Sequence, residues 1–360
     1  MKDLGLDAMV AFSKENVAYG AGYVVPSQAL DIRDRCFSVV VAADGNASML
    51  LTENELPDAR TRGTIPNLFG YKEFDDDPMV VLTEIVTNMG LGKGRIAVEL
   101  DALAADRWER LKALLSGAEV VHGAEAFSRA RMLKVPEEIE AMRAVCMIAE
   151  QAQAAAHQGI PRGGTERDVY RKIVGAALEH GADSVVMVQV AADERSMLSN
   201  PTPSDRELQV GSIVKVDTFI EKSAYLSDTG RSFAVVSATP RQRDVWKRMQ
   251  EVLSSLEEAI DPGVSTRFIW ELFLREFERR NLKPAMRFVG HGLGMSLHEP
   301  PYINARSTAT IEANMVLAIE PVAVIDGVGL HLEDNLVVTD QGVDILTTRF
   351  DQELITVDFV

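Results

Sequence analysis

Hydrophobic and polar residues alternate in short bursts along the first third of the chain. Apolar or β-branched runs at 6–12, 37–43, 48–51 and 95–98 have the length of strands, and 102–115 reads as a helix. Turns are marked by ADGN at 43–46 and GLGKG at 90–94. The second of these lacks the full GxxxxGK spacing of a phosphate loop, so it counts as a plain turn. Strands alternating with helices predict an α/β domain over 1–128.

From Pro136 the pattern changes. The segment VPEEIEAMRAVCMIAEQAQAAAHQGI predicts one long helix, with acids early and a glycine at its end. The stretch ARMLKVPEE just before it marks the start of a second domain, 129–360. Within that domain the pattern occurs twice. Helices at 136–157 and 165–180 lead to an apolar hairpin at 212–236; helices at 239–260 and 265–280 lead to a second hairpin at 315–339. Corresponding carboxylates lie about a hundred residues apart, 217 with 320 and 228 with 333. A duplicated helix–helix–hairpin unit, facing itself across a pseudo-twofold, would place its active site at the centre.

Composition narrows the function classes. With 46% hydrophobic residues the 360-residue chain can bury two cores, and its net charge of -17 disfavours nucleic acid and anionic membrane as partners. Cys36 and Cys146 have no paired spacing, which predicts reduced thiols. No signal peptide or run of membrane-spanning length is visible, so a cytoplasmic protein is expected.

The chemistry is carried by acids on apolar strands. Asp217 and Asp228 are eleven positions apart in VKVDTFIEKSAYLSDTGRSF, and a symmetric hairpin turning between Lys222 and Ser223 would set them directly opposite. Glu320 and Glu333 bracket Asp326-Gly327, a preferred pair for a tight two-residue turn. Like charges placed directly across two strands repel, so such pairs must share protons or hold cations. Two acidic pairs, with the glycine-rich FVGHGLGMSLHEPP loop between them, favour metal. His291 is expected as a nitrogen ligand and His298 as a nearby proton donor. Oxygen donors with one imidazole suit Mn²⁺, Fe²⁺, Co²⁺ or Zn²⁺.

These segments resemble the pita-bread metallopeptidases, the family of methionine aminopeptidase, Xaa-Pro aminopeptidase, prolidase and creatinase. VDTFIEKSAYLSDTGRSF is similar to the family's two-aspartate segment, and GHGLGMSLHEPP to its histidine motif. AIEP and GLHLEDNLVVT are similar to its two glutamate motifs, and PTPSDRELQVGSIVKVD to the approach to the first aspartate. GLDAMVAFSKENVAYGAGY and RARMLKVPEEIEAMR resemble the creatinase/prolidase branch, which carries an extra N-terminal domain. The resemblance implies an α/β N-terminal domain and an α+β pita-bread catalytic domain. It further implies two divalent ions bridged by Asp228 and Glu333, with Asp217 completing one site and His291 with Glu320 the other. A bridging hydroxide would attack an amide, Glu320 would help manage its proton, and His298 would hydrogen-bond the reacting amide.

Three positions depart from the pattern. Asn200 and Arg287 stand where prolidase-like members have histidines, and His331 where an arginine is common. In the family these positions handle substrate, so all three are expected to bind it. The expected activity is that of a metal-dependent Xaa-Pro dipeptidase, often dimeric in this family. An alternative is a creatinase-like relative acting on a small non-peptide amide. A catalytically silent binding protein on the same scaffold would have lost ligands, and none is lost here.

Overall fold

The computed structural model describes residues 1–30, 32, 34–347 and 353–360, which form two compact units, Met1–Arg131 and Met132–Val360. No helix among the described residues is long and apolar enough to cross a membrane.

The first unit is built on strands β1 (Ala8–Ala11), β2 (Ser38–Ala42), β3 (Ala47–Thr52), β4 (Asn67–Tyr71), β5 (Arg95–Val98) and β6 (Glu119–His122). They form one mixed sheet in the order β4-β3-β2-β1-β5-β6. Helices α1 (Lys14–Ala21), α2 (Pro26–Ala29), α3 (Leu56–Arg62), α4 (Pro78–Asn88), α5 (Ala105–Leu114) and α6 (Ala124–Met132) connect them. Val10, Leu50 and Ile96 pack in one core cluster, while Ala11, Val39, Met49 and Leu51 pack in another. Residues on both faces of each central strand are therefore buried, which explains their unbroken apolar runs. The edge strands β4 and β6 are only partly buried and carried no comparable signal.

The second unit opens with α7 (Pro136–Ala156) and α8 (Glu166–Glu179). In both helices the carboxylate three residues in reaches back to the N-cap backbone. The Glu138 carboxylate accepts the Val135 N–H at 2.8 Å, and Asp168 accepts the Thr165 N–H at 2.9 Å. Strands β7 (Ser184–Ala192), β8 (Ile213–Lys222) and β9 (Tyr225–Val235) follow as an antiparallel run. Then the order recurs: α9 (Pro240–Ala259), α10 (Thr266–Arg279) and β10 (Phe288–Gly292). After β11 (Glu299–Asn304), the second hairpin comes in two ladders. β12 (Val316–Ile319) pairs with β15 (Asp334–Thr339), and β13 (Val322–Ile325) pairs with β14 (Val328–His331). β16 (Gly342–Ile345) adds to β15, and β17 (Thr356–Val357) adds in parallel to β9.

Each repeat is thus helix, helix, strand, hairpin, because β7 flanks β8 as β10 flanks β12. The ends of the segment expected as a glycine-rich loop are two paired strands, β10 and β11, joined by residues 293–298, and Gly290 and Gly292 serve close approach. A Cβ at Gly290 would collide with the Ala318 carbonyl oxygen, and one at Gly292 with that of Pro300. Glycine there lets three strands crowd together around His291.

One of the two hairpin turns keeps the expected register and the other does not. Asp326 and Gly327, both at positive φ (49° and 81°), make the second turn as expected. The first turn is Ser223-Ala224, also at positive φ (53° and 68°), rather than Lys222-Ser223. Asp217 therefore pairs with Gly230 and Asp228 with Phe219, so the two aspartates are diagonal neighbours, not direct partners. The Asp183 carboxylate accepts the Ser223 N–H at 2.7 Å and holds this turn in place. A shift of two leaves both aspartates on one face of the hairpin, so the site survives the change.

Alanine at φ 68° is strained where glycine is not. Ala224→Gly should raise stability by about 0.5–1 kcal/mol, and Gly327→Ala should lower it by a similar amount. Urea-denaturation midpoints of the two variants, moving in opposite directions, check this.

Candidate metal centre

The strands converge on a cluster of acids and imidazoles in the second unit. Asp217, Asp228, Glu320, Glu333, His291 and His331 are all buried, with exposures from 0% to 9%. Their polar atoms gather in three overlapping groups: Asp228 with His291 and His298, Asp217 with His331 and Glu333, and His291 with Glu320 and Glu333. His291 Nε2 lies 3.4 Å from both Asp228 Oδ2 and Glu320 Oε1. Its other ring nitrogen, Nδ1, is 3.0 Å from the Gly292 carbonyl oxygen, which leaves Nε2 aimed into the cluster.

Alternation along β14 and β15 supplies one wall. His331, Glu333 and Asn335 point to one face, while Leu332 and Leu336 pack into the core on the other. Glu320 and Glu333 sit at the step between the two ladders, at positions that continue the register of Ile319 with Asp334 and Val322 with His331.

The backbone of each hairpin is gripped by a side chain from the other. Asn335 accepts the Asp228 N–H at 3.1 Å and donates to the Asp228 carbonyl. Arg231 donates to the Glu333 carbonyl, to the Gly230 carbonyl at 2.9 Å and to Asp334 Oδ1 at 2.5 Å. Thr347 donates to the same Asp334 oxygen at 2.9 Å. None of Asn335, Arg231, Asp334 and Thr347 was singled out from sequence. The available signal was that polar residues follow Asp228 and Glu333 at strand positions the apolar pattern would bury.

Electrostatics inside the cluster are unfavourable without a cation. Burial, reinforced by the Asp228 charge, pushes the Asp217 and Glu333 carboxyls well above the usual range. Burial also raises Glu320, offset in part by His291. For His291 burial would lower the pKa, but contact with Asp228 and Glu320 outweighs it and lifts the value to about 10. His331 is driven well down by burial and by the Lys215 and Arg231 charges. Asp217 Oδ1, both Glu333 carboxylate oxygens, His291 Nε2 and both His331 nitrogens are buried with no hydrogen-bond partner. Orphaned buried donors and acceptors of this kind are rare in proteins and fit a set of ligands around metal.

The remaining expected positions fall at different distances from this centre. The His298 ring stacks on His291 with centroids 3.8 Å apart, and Phe288 stacks on both at 5.8 and 6.0 Å. The β10–β11 turn thus brings together two histidines seven positions apart in sequence. Burial and the His291 charge lower the His298 pKa, which favours the neutral ring. Asn200 accepts a 3.0 Å hydrogen bond from Gln189, a buried residue that pairs with Asp217 across β7 and β8. Arg287 is exposed; its guanidinium lies 5.7 Å from the Trp270 ring centre, beside a groove of about 370 Å³ that none of the cluster residues lines. His331, expected at the substrate, lies among the carboxylates themselves.

Comparison with known proteins agrees with this geometry. Residues 140–340 match metallopeptidase family M24, and residues 1–133 match the creatinase/prolidase N-terminal domain. The Xaa-Pro dipeptidase of Pyrococcus furiosus is 26% identical over 321 residues, covering 88% of each chain. An X-Pro aminopeptidase structure from Thermotoga maritima superposes with a TM-score of 0.85 at 20% identity, covering 99% of this chain and 97% of that one. A prolidase structure from Pyrococcus furiosus gives 0.80 at 24% identity, covering 97% and 98%.

The shifted groups make the metal-free protein sensitive to pH. A folded-state pKa above the unfolded one means the folded chain holds a proton that unfolding releases, so stability falls as pH rises between the two values. For His291 that window runs from about 6.5 to about 10, and the raised carboxyls act in the same direction. The depressed His331 works oppositely, but only below its unfolded value near 6.5. In chelator, stability should therefore fall between pH 6.5 and 9, by up to about 1.4 kcal/mol per pH unit for each proton held. Saturating divalent metal should abolish the slope. Thermal melts across this range check it, and a flat profile in chelator would contradict the electrostatic reading.

Proposed function

The chain belongs to metallopeptidase family M24, a family of metal-dependent hydrolases, and from that premise we propose that it binds two divalent ions and cleaves small Xaa-Pro peptides. The observation that carries this reading is the buried cluster of four carboxylates, in which Asp217 Oδ1, both Glu333 oxygens and His291 Nε2 lack hydrogen-bond partners. Asp217, Asp228 and Glu333 would hold one ion; Asp228, Glu333, His291 and Glu320 would hold the other. Four ionised carboxylates balance two doubly charged cations, and the donor set suits Mn²⁺, Fe²⁺, Co²⁺ or Zn²⁺. We assign this chemistry to the second unit alone. The whole-length similarity to an Xaa-Pro dipeptidase and to prolidase structures supports the substrate class.

Two ions bound there would acidify a water and take up charge on the carbonyl oxygen of the scissile amide. The protein's own residues then supply position and protons. Glu320, 3.4 Å from His291, would receive the water's proton and pass it on. The His298 ring, exposed and stacked on His291, would donate a hydrogen bond to the reacting amide. Phe288 backs both rings and makes an apolar wall, and Gln189 with Asn200 faces the Asp217 side. Arg287, held on Trp270, is left out of the proposed site.

Metal analysis of protein purified without chelator should give two divalent ions per chain, and Glu333→Ala should lose both metal and activity. Proline release from a panel of Xaa-Pro dipeptides, with non-proline dipeptides and small amides as controls, tests the substrate. Cleavage confined to the small amides would overturn the peptidase reading. His298→Ala should keep both ions while kcat falls by roughly 10²–10⁴-fold, the usual worth of a positioned acid or base. Steady-state kinetics with metal content measured on the same samples separate the two effects.

A further inference from the structure

We propose that His331 is an additional metal ligand in this chain, giving the ion held by Asp217 an imidazole of its own. The inference rests on the two-ion reading above and adds a sixth residue to it.

The His331 ring is 1% exposed, and neither of its nitrogens has a hydrogen-bond partner. A buried imidazole in a protein almost always has one. Its surroundings are rich in acceptors, yet all stand at the wrong distance for hydrogen bonding. Nε2 is 3.6 Å from Glu333 Oε2 and 4.0 Å from Glu320 Oε2, while Nδ1 is 3.9 Å from Asp217 Oδ2. Those separations suit donors that share a cation. Two ligand atoms each about 2.1 Å from one ion, at angles of about 90–140°, lie about 3.0–3.9 Å apart. Asp217, His331 and Glu333 form one of the three groups whose ligand atoms all lie within 4.8 Å of one another.

The ring is held there by backbone, independently of any contact its nitrogens make. The His331 N–H donates to Ser232 Oγ at 2.9 Å, and its strand pairs it with Val322. On the facing strand, the ring occupies the space where a side chain at Gly230 would begin. This is a prepared seat for an imidazole whose only remaining use of a lone pair is toward the cluster. With one ring nitrogen on the ion, the other can direct its N–H at a neighbouring carboxylate, the usual arrangement for a ligating histidine. His291 and His331 would then give each ion one nitrogen donor, shifting preference away from Mn²⁺ toward Co²⁺ and Zn²⁺.

The test counts imidazoles on the metal, not turnover. Protein loaded with two Co²⁺ ions should show two exchangeable, paramagnetically shifted imidazole N–H resonances in its proton NMR spectrum. His331→Gln should remove one and His291→Gln the other. His331→Gln should also weaken binding of one Co²⁺ by at least tenfold in titration, leaving the other unchanged. Two bound Co²⁺ with a single N–H resonance, unaltered in His331→Gln, would overturn this inference while leaving the two-ion centre intact. Failure of the unmodified protein to take up two Co²⁺ would overturn both. Because the resonance count is made first on the unmodified protein, it decides the matter even if a variant does not fold.

Discussion

Four carboxylates that repel one another have to be held within a few ångströms in a buried site. The surrounding structure of the second unit answers that one constraint. Charge alone would drive Asp217, Asp228, Glu320 and Glu333 apart or protonate them. What prevents the first is the reciprocal grip of the two hairpins, with Asn335 on the Asp228 backbone and Arg231 on the Glu333 carbonyl. The clamps act on main chain, so they position each ligand without occupying its carboxylate oxygens. Arg231 is itself paired with Asp334, and removing one partner of such a buried pair costs about 3–5 kcal/mol.

The duplication makes this arrangement possible. Each half contributes a hairpin with two acids on one face, and each hairpin is flanked by a strand, β7 or β10, that closes its outer edge. The flanking strands bring what the hairpins lack. β10 carries His291 into the cluster, and β7 carries Gln189 alongside Asp217. Small residues at the crossing points, Gly230, Gly290 and Ala318, give the rings and strands room to approach. Stability and function therefore draw on the same positions, and the metal-free centre is the part of the unit under greatest electrostatic load.

Much of this was legible before any coordinates. The long helices of the second unit and the duplicated order follow from periodicity and start signals, which are local. The Asp326-Gly327 turn was readable because that pair prefers positive φ. The acids stood out because charges on apolar strands contradict the hydrophobic pattern, and the resemblance to a known family assigned them roles. The edge strands β4 and β6 were missed because half-exposed strands carry a weak pattern. β10 and β11 were missed because glycines required for close packing look, in sequence, like glycines required for a loop.

The sequence by itself determined which residue types are available and which face of each element they occupy, since both depend on neighbours a few positions away. The tertiary structure alone decided which of those faces meet. It moved the first hairpin's turn by one residue, to Ser223-Ala224, setting Asp217 and Asp228 on the diagonal. It stacked His298 on His291, laid Arg287 on Trp270, and put His331 among the carboxylates. Each of these outcomes depends on contacts between segments tens to a hundred residues apart. Their energies come from packing and charge at close range, which chain order does not encode.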